Sequence, residues 1–92
     1  MPINDWSAQM ASSIFDEGHR RLVELLIDAR KKSGLKQAEL GRRVGRSQSF
    51  ISLIERSQRR VDVVEFIALS RAMNEDVEVI FKALLQAQAM SD

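Results

Sequence analysis

Apolar residues recur along the chain at three- and four-residue intervals, and no stretch alternates long enough to argue for a strand. Over residues 13–33, Phe15, His19, Leu22, Leu26 and Ala29 share one face, the last turn carries Arg30, Lys31 and Lys32, and Gly34 offers a left-handed stop. A short second helix is predicted over 37–44, with Leu40 and Val44 inward and Gly45 ending it. Only Arg46 separates it from a third helix over 47–56, with Ile51 and Ile54 inward. Asp62 followed by Glu65 reads as a capping box opening a fourth helix that runs to Met73, with Val63, Phe66, Ile67, Leu69 and Met73 apolar. Asn74 can end it, and a fifth helix is expected over 76–88 with Val77, Ile80, Phe81, Leu84 and Leu85. The pattern predicts an all-α chain of five helices. Its divisions are an arm over 1–12, one domain over 13–88 and a tail over 89–92.

Ninety-two residues suit one domain, which leaves no room for an appended ligand-binding domain within this sequence. A composition 45% hydrophobic and 29% charged is that of a folding chain. With no cysteine and one histidine, the chain has neither a disulfide framework nor the residues of a usual metal site, so no cofactor or metal is expected. Glu24 and Asp28 lie on the same helix as His19, but their spacing places no nucleophile, and His19 reads better as a buried or capping residue. A non-enzyme is expected. No export signal or membrane-spanning run is evident, so a cytoplasmic protein with no membrane partner is expected.

The formal net charge of +1 hides a strong asymmetry. Residues 30–60 hold ten bases (Arg30, Lys31, Lys32, Lys36, Arg42, Arg43, Arg46, Arg56, Arg59, Arg60) against Glu39 and Glu55, a local +8, while the remaining positions sum to −7. A polyanion would meet one attractive stretch between repulsive ones. Within that stretch, residues 37–56 form two short helices joined by a tight glycine-containing turn. A second helix that opens with small polar residues can enter a major groove about 12 Å wide. Ser47, Gln48, Ser49, Phe50, Ser52 and Leu53 remain on its exposed side, without an acid among them.

The residues A-R-K-K-S-G-L-K-Q-A-E-L, V-G-R-S-Q-S-F-I-S-L-I-E-R and A-L-S-R-A-M, spread over 29–73, resemble the Cro and phage-repressor type of helix-turn-helix domain, also called the xenobiotic-response-element family. The resemblance covers about half the chain. It implies a compact five-helix, lambda-repressor-like DNA-binding domain, dimeric binding to double-stranded DNA and transcriptional regulation.

Residue by residue, the resemblance implies base reading by Gln48 and Ser49. Ser52 is a further candidate reader, and Ser47 is either a reader or the helix cap. Gln37 matches a phosphate-binding position, and Lys36, Arg43, Arg46, Arg56, Arg59 and Arg60 are further phosphate candidates. Arg30 and Glu55 match a structural ion pair. Phe50 and Leu53 are ambiguous between DNA and core. The chain departs from the family's pattern at Lys36 (usually Thr or Ser), Gly41 (more often alanine), Arg46 (apolar), Ser57 (glycine) and Val61 (commonly proline). The fifth helix carries more apolar residues than one face needs, and Val79, Phe81 and Leu85 are expected to form a homodimer contact. The leading expectation is a repressor binding a palindromic operator. The alternative is an antitoxin-like module that binds a partner protein and uses DNA for autoregulation. Trp6 and Met10 on the arm could serve either a partner or the domain itself.

Overall fold

The computed structural model describes residues 16–91, and among these every regular element is a helix. Five helices follow in order: α1 (Asp16–Lys32), α2 (Gln37–Arg43), α3 (Gln48–Glu55), α4 (Val63–Ala72) and α5 (Val77–Ser91). The arm with Trp6 and Met10, and the start expected for the first helix with Phe15, lie outside the described residues.

The helix boundaries differ from the sequence expectation chiefly by cap residues. Ser47 and Asp62 adopt extended backbone as N-caps of α3 and α4, while Val44, Arg56 and Met73 are C-caps. Asp62 and Glu65 close the predicted capping box reciprocally, each side chain accepting from the other's backbone N–H. At the far end, α5 continues to Ser91, past the limit expected at 88. Ala87, Ala89 and Met90 are good helix formers, and no glycine or proline stops them.

Four helices end in the same way. Gly34, Gly45, Ser57 and Asn74 each take a positive φ, between 58° and 78°. Each follows a C-cap, and the next amide reaches back to the third-last helical carbonyl: Leu35 to Arg30, Arg46 to Gly41, Gln58 to Leu53 and Glu75 to Ser70. The two glycines and the asparagine suit that conformation, whereas Ser57 must accept the Cβ clash.

Val23, Leu26 and Ala29 of α1, Leu40 of α2, Ile51 and Ile54 of α3, Phe66, Leu69 and Met73 of α4 and Ile80 of α5 form one buried core. Val63, read from the sequence as part of the apolar face of α4, is instead 73% exposed. It sits in the first turn of α4, on the side away from that core. Ser70 is fully buried and donates to the Phe66 carbonyl one turn back, which satisfies the hydroxyl without breaking the core.

Candidate nucleic-acid interface

The first requirement of the site is a close crossing of α2 and α3. Gly41 is buried, and a Cβ placed there would lie 2.8 Å from the Ser47 carbonyl oxygen and 2.9 Å from that of Arg46. Those neighbours are backbone and cannot swing aside, so the absent side chain sets the distance between the helices. Gly45 turns the chain with φ +72°, and the Arg46 amide donates to the Gly41 carbonyl at 2.8 Å. The glycine at position 41, unusual by resemblance, thus has a packing reason.

A polar relay then fixes α3 against α1. Arg30 Nε donates to Glu55 Oε2 at 2.6 Å, Arg30 Nη2 to Glu55 Oε1 at 3.0 Å, and Arg30 Nη1 to the Leu35 carbonyl at 2.9 Å. Both side chains are nearly enclosed, with 13% and 11% of their surface exposed. Gln37 Nε2 adds a bond to Glu55 Oε1 at 2.8 Å, and Gln37 Oε1 accepts from Gln48 Nε2 at a long 3.4 Å. The relay runs from the end of α1 to the head of α3, and its last link is loose enough to be exchanged for another partner.

The Ser47 hydroxyl oxygen accepts from the Phe50 amide at 3.2 Å and caps α3, which leaves its O–H able to donate elsewhere. Gln48 and Ser49 are exposed on the first turn, while Ser52 and Leu53 are half-buried. Lys36, Arg46, Arg56 and Arg60 are exposed, with Arg46 just before the N-cap of this helix and Arg56 at its C-cap. Lys36 occupies the N-cap of α2 and supplies no side-chain cap bond, so the ammonium remains at the surface.

Two of the arginines named as phosphate candidates are occupied within the fold. Arg43 Nη1 donates to the Ala72 carbonyl at 2.9 Å, tying α2 to the end of α4, and Arg43 Nε faces Glu39 at 3.3 Å. Arg59 grips Glu65 with two parallel bonds of 2.8 Å and also donates to the Arg60 carbonyl. These Arg59 bonds, and the Asp62 amide, hold the Glu65 carboxyl well below the usual carboxylate range, at about 2. Likewise Arg42 and Arg43 lower Glu39.

Phe50 is half-buried against the core and lines, with Val44, Arg46, Val64, Glu65, Ala68 and Leu69, a hollow of about 160 Å³ between α3 and the start of α4. The guanidinium carbons of Arg46 and Arg59 stand 5.2 and 4.6 Å from its ring centroid. Sequence reasoning missed this cluster. The Glu65 capping signal was visible, but nothing in the spacing from Arg59 to Glu65 announces a pair, because the intervening backbone is not helical. On α5, Val79, Phe81 and Leu85 are all about half-exposed, and Phe81 leans on Phe66 with ring centroids 6.5 Å apart.

Two short helices held at contact distance, the second opening with an acid-free polar turn and flanked by the exposed cations Arg46 and Arg56, define a helix-turn-helix DNA-binding domain. The chain belongs to the XRE family of such proteins: a helix-turn-helix family model matches residues 26–80. It is similar to an XRE-family-like protein from Pseudomonas syringae pv. tomato str. DC3000, with 34% identity over 91% of this chain and 99% of that one and a TM-score of 0.80. It is also similar to the restriction-modification controller protein C.AhdI from Aeromonas hydrophila, with 26% identity, 67% and 94% coverage and a TM-score of 0.62. The wild-type controller C.Esp1396I shares the fold at 18% identity, with 79% and 95% coverage and a TM-score of 0.71. No curated protein matches significantly. The protein is a DNA-binding transcriptional regulator of this family. No helix among the described residues is long and apolar enough to cross a membrane.

Proposed function

We propose that the protein represses transcription by binding a palindromic operator as a homodimer. The carrying observation is the exposed first turn of α3, where Gln48 and Ser49 stand in a turn without an acid, on a helix preceded by exposed Arg46 and capped at its far end by exposed Arg56. In this reading Gln48 pairs with adenine through both ends of its amide, exchanging its long bond to Gln37, and Ser47, Ser49 and Ser52 read neighbouring base edges. Gln37 and the four exposed cations Lys36, Arg46, Arg56 and Arg60 engage phosphates. Arg43 and Arg59 take structural roles because their guanidiniums are already bonded. Exposed Val79, Phe81 and Leu85 form the two-fold contact, which would place the half-sites about 34 to 36 Å apart.

Selection of bound fragments from the source genome tests the proposal directly. A palindromic site near promoters is the expected result, with a slope of log K against log salt near about −7 if the four cations of each subunit each neutralise one phosphate. Salt-independent or absent binding would sink it. The same exposed apolar positions on α5 also favour a second reading, an antitoxin-like module that seats a partner protein there. Sedimentation of the isolated protein separates the two, because a monomer at tens of micromolar contradicts the homodimer.

A further inference from the structure

Phe50 stands where a DNA-reading helix meets the loop before α4, and two guanidiniums crowd its ring. Arg59 is immobilised by its fork-to-fork pair with Glu65, which also neutralises it. That neutralisation lets a second cation share the ring at little repulsive cost. Arg46 is the second, and it makes no ion pair among the described residues. Its backbone immediately precedes the Ser47 cap, so its side chain emerges at the head of α3, where the groove wall carries phosphates.

We propose that Phe50 is a positioning residue for DNA binding: its ring holds the Arg46 guanidinium ready to clamp a phosphate beside the bases that α3 reads. A long arginine otherwise sacrifices rotamer freedom on binding, and a platform that prearranges it removes part of that cost. Arg59 and Glu65 serve by fixing the other side of the ring. The inference rests on the DNA face proposed above and assigns to Phe50 a task beyond core packing.

The test is a set of anisotropy titrations on a selected operator fragment at several salt concentrations, using variants first checked for native helicity and melting. Phe50→Leu keeps apolar bulk and is expected to weaken binding about two- to fivefold. Arg46→Ala should weaken it at least as much and reduce the salt slope by about 0.9 for each phosphate it no longer neutralises. Adding Phe50→Leu to Arg46→Ala should cost nothing further, and Phe50→Tyr should bind as wild type. Equal weakening by Phe50→Leu with and without Arg46 overturns the proposal, as does equal loss in Phe50→Tyr and Phe50→Leu. In case Phe50→Leu does not fold, NMR of the unaltered protein decides: ring-shifted Arg46 side-chain protons support the platform, and random-coil shifts overturn it. Unchanged operator affinity in Gln48→Ala overturns the base-reading assignment alone, whereas a wild-type protein that binds no DNA overturns both.

Discussion

Glu55 accepts three side-chain hydrogen bonds, two from Arg30 and one from Gln37, in a site where little of either charged side chain meets water. Truncation in Glu55→Ala leaves the nearly enclosed Arg30 guanidinium with its bond to the Leu35 carbonyl and no carboxylate, and it leaves the Gln37 amide facing a void. Breaking a buried pair from one side costs about 3 to 5 kcal/mol, and the remaining carbonyl bond and partial exposure favour the lower end, about 3 kcal/mol. Folded domains hold about 0.05 to 0.15 kcal/mol per residue, so the variant should still fold when cold. Urea melts followed by circular dichroism should shift in midpoint by about 1.5 M if the slope is about 2 kcal/mol per molar. Replacing both partners, in Arg30→Met/Glu55→Met, should recover much of the loss, because no unpaired charge is left behind. A Glu55→Ala loss below about 1 kcal/mol would refute the reasoning, since that is the value of a solvent-screened surface pair.

Other substitutions probe the turns, the helix crossing and the loop. Ser57→Gly relieves the positive φ of 58° and should stabilise the domain by about 0.5 to 1 kcal/mol, read as a melting temperature several degrees higher. Gly41→Val drives side-chain carbons into the Ser47 and Arg46 carbonyls and should cost about 3 kcal/mol, measured by the same urea melts; wild-type stability would show that the crossing has slack. Because Glu65 is held at about 2 against an ordinary 4.5, its bond to Arg59 contributes fully above pH 4.5 and is lost as pH falls toward 2. Glu65→Gln should therefore flatten the acid side of the melting-temperature profile, and an unaltered profile would count against the pair. Arg43→Ala and Arg59→Ala should lower stability with the DNA salt slope unchanged, while Lys36→Ala, Arg56→Ala or Arg60→Ala should reduce that slope by about 0.9 per phosphate.

The helices are legible in the sequence because each has a local cause. The Asp62 to Glu65 capping box, the glycines at 34 and 45, the four-residue step from Leu40 to Val44 and the three-residue step from Ile51 to Ile54 act within a few residues of chain. The pairing of Arg30 with Glu55, 25 residues apart, is legible only through resemblance, since nothing in composition or periodicity connects them. Gly41 looks like a cost to α2 until its missing Cβ is set against the Ser47 carbonyl across the turn. Phe50 is ambiguous in the sequence for a related reason. Helical periodicity says which residues share a side of α3 but not what approaches that side, and here α4 brings Glu65, which draws Arg59 to the ring.

The charge asymmetry shows the same division between local and spatial information. Counting bases from 30 to 60 locates the cationic side, but the count treats every guanidinium as open to a polyanion. In the folded chain Arg30 belongs to Glu55, Arg42 and Arg43 lie against Glu39, and Arg59 belongs to Glu65, so several charges serve the frame that holds α3. Glu65 lies outside the counted stretch, and by neutralising Arg59 it makes the local +8 an overestimate of what DNA would meet. If exposed Lys36, Arg46, Arg56 and Arg60 each neutralise one phosphate, as the proposed reading has it, the salt slope of a dimer is about −7. A steeper measured slope would require further cations, either exposed Lys31 and Lys32 at the end of α1 or arginines released from the pairs with Glu55 and Glu65, and the Arg30–Glu55 pair is what ties α3 to α1.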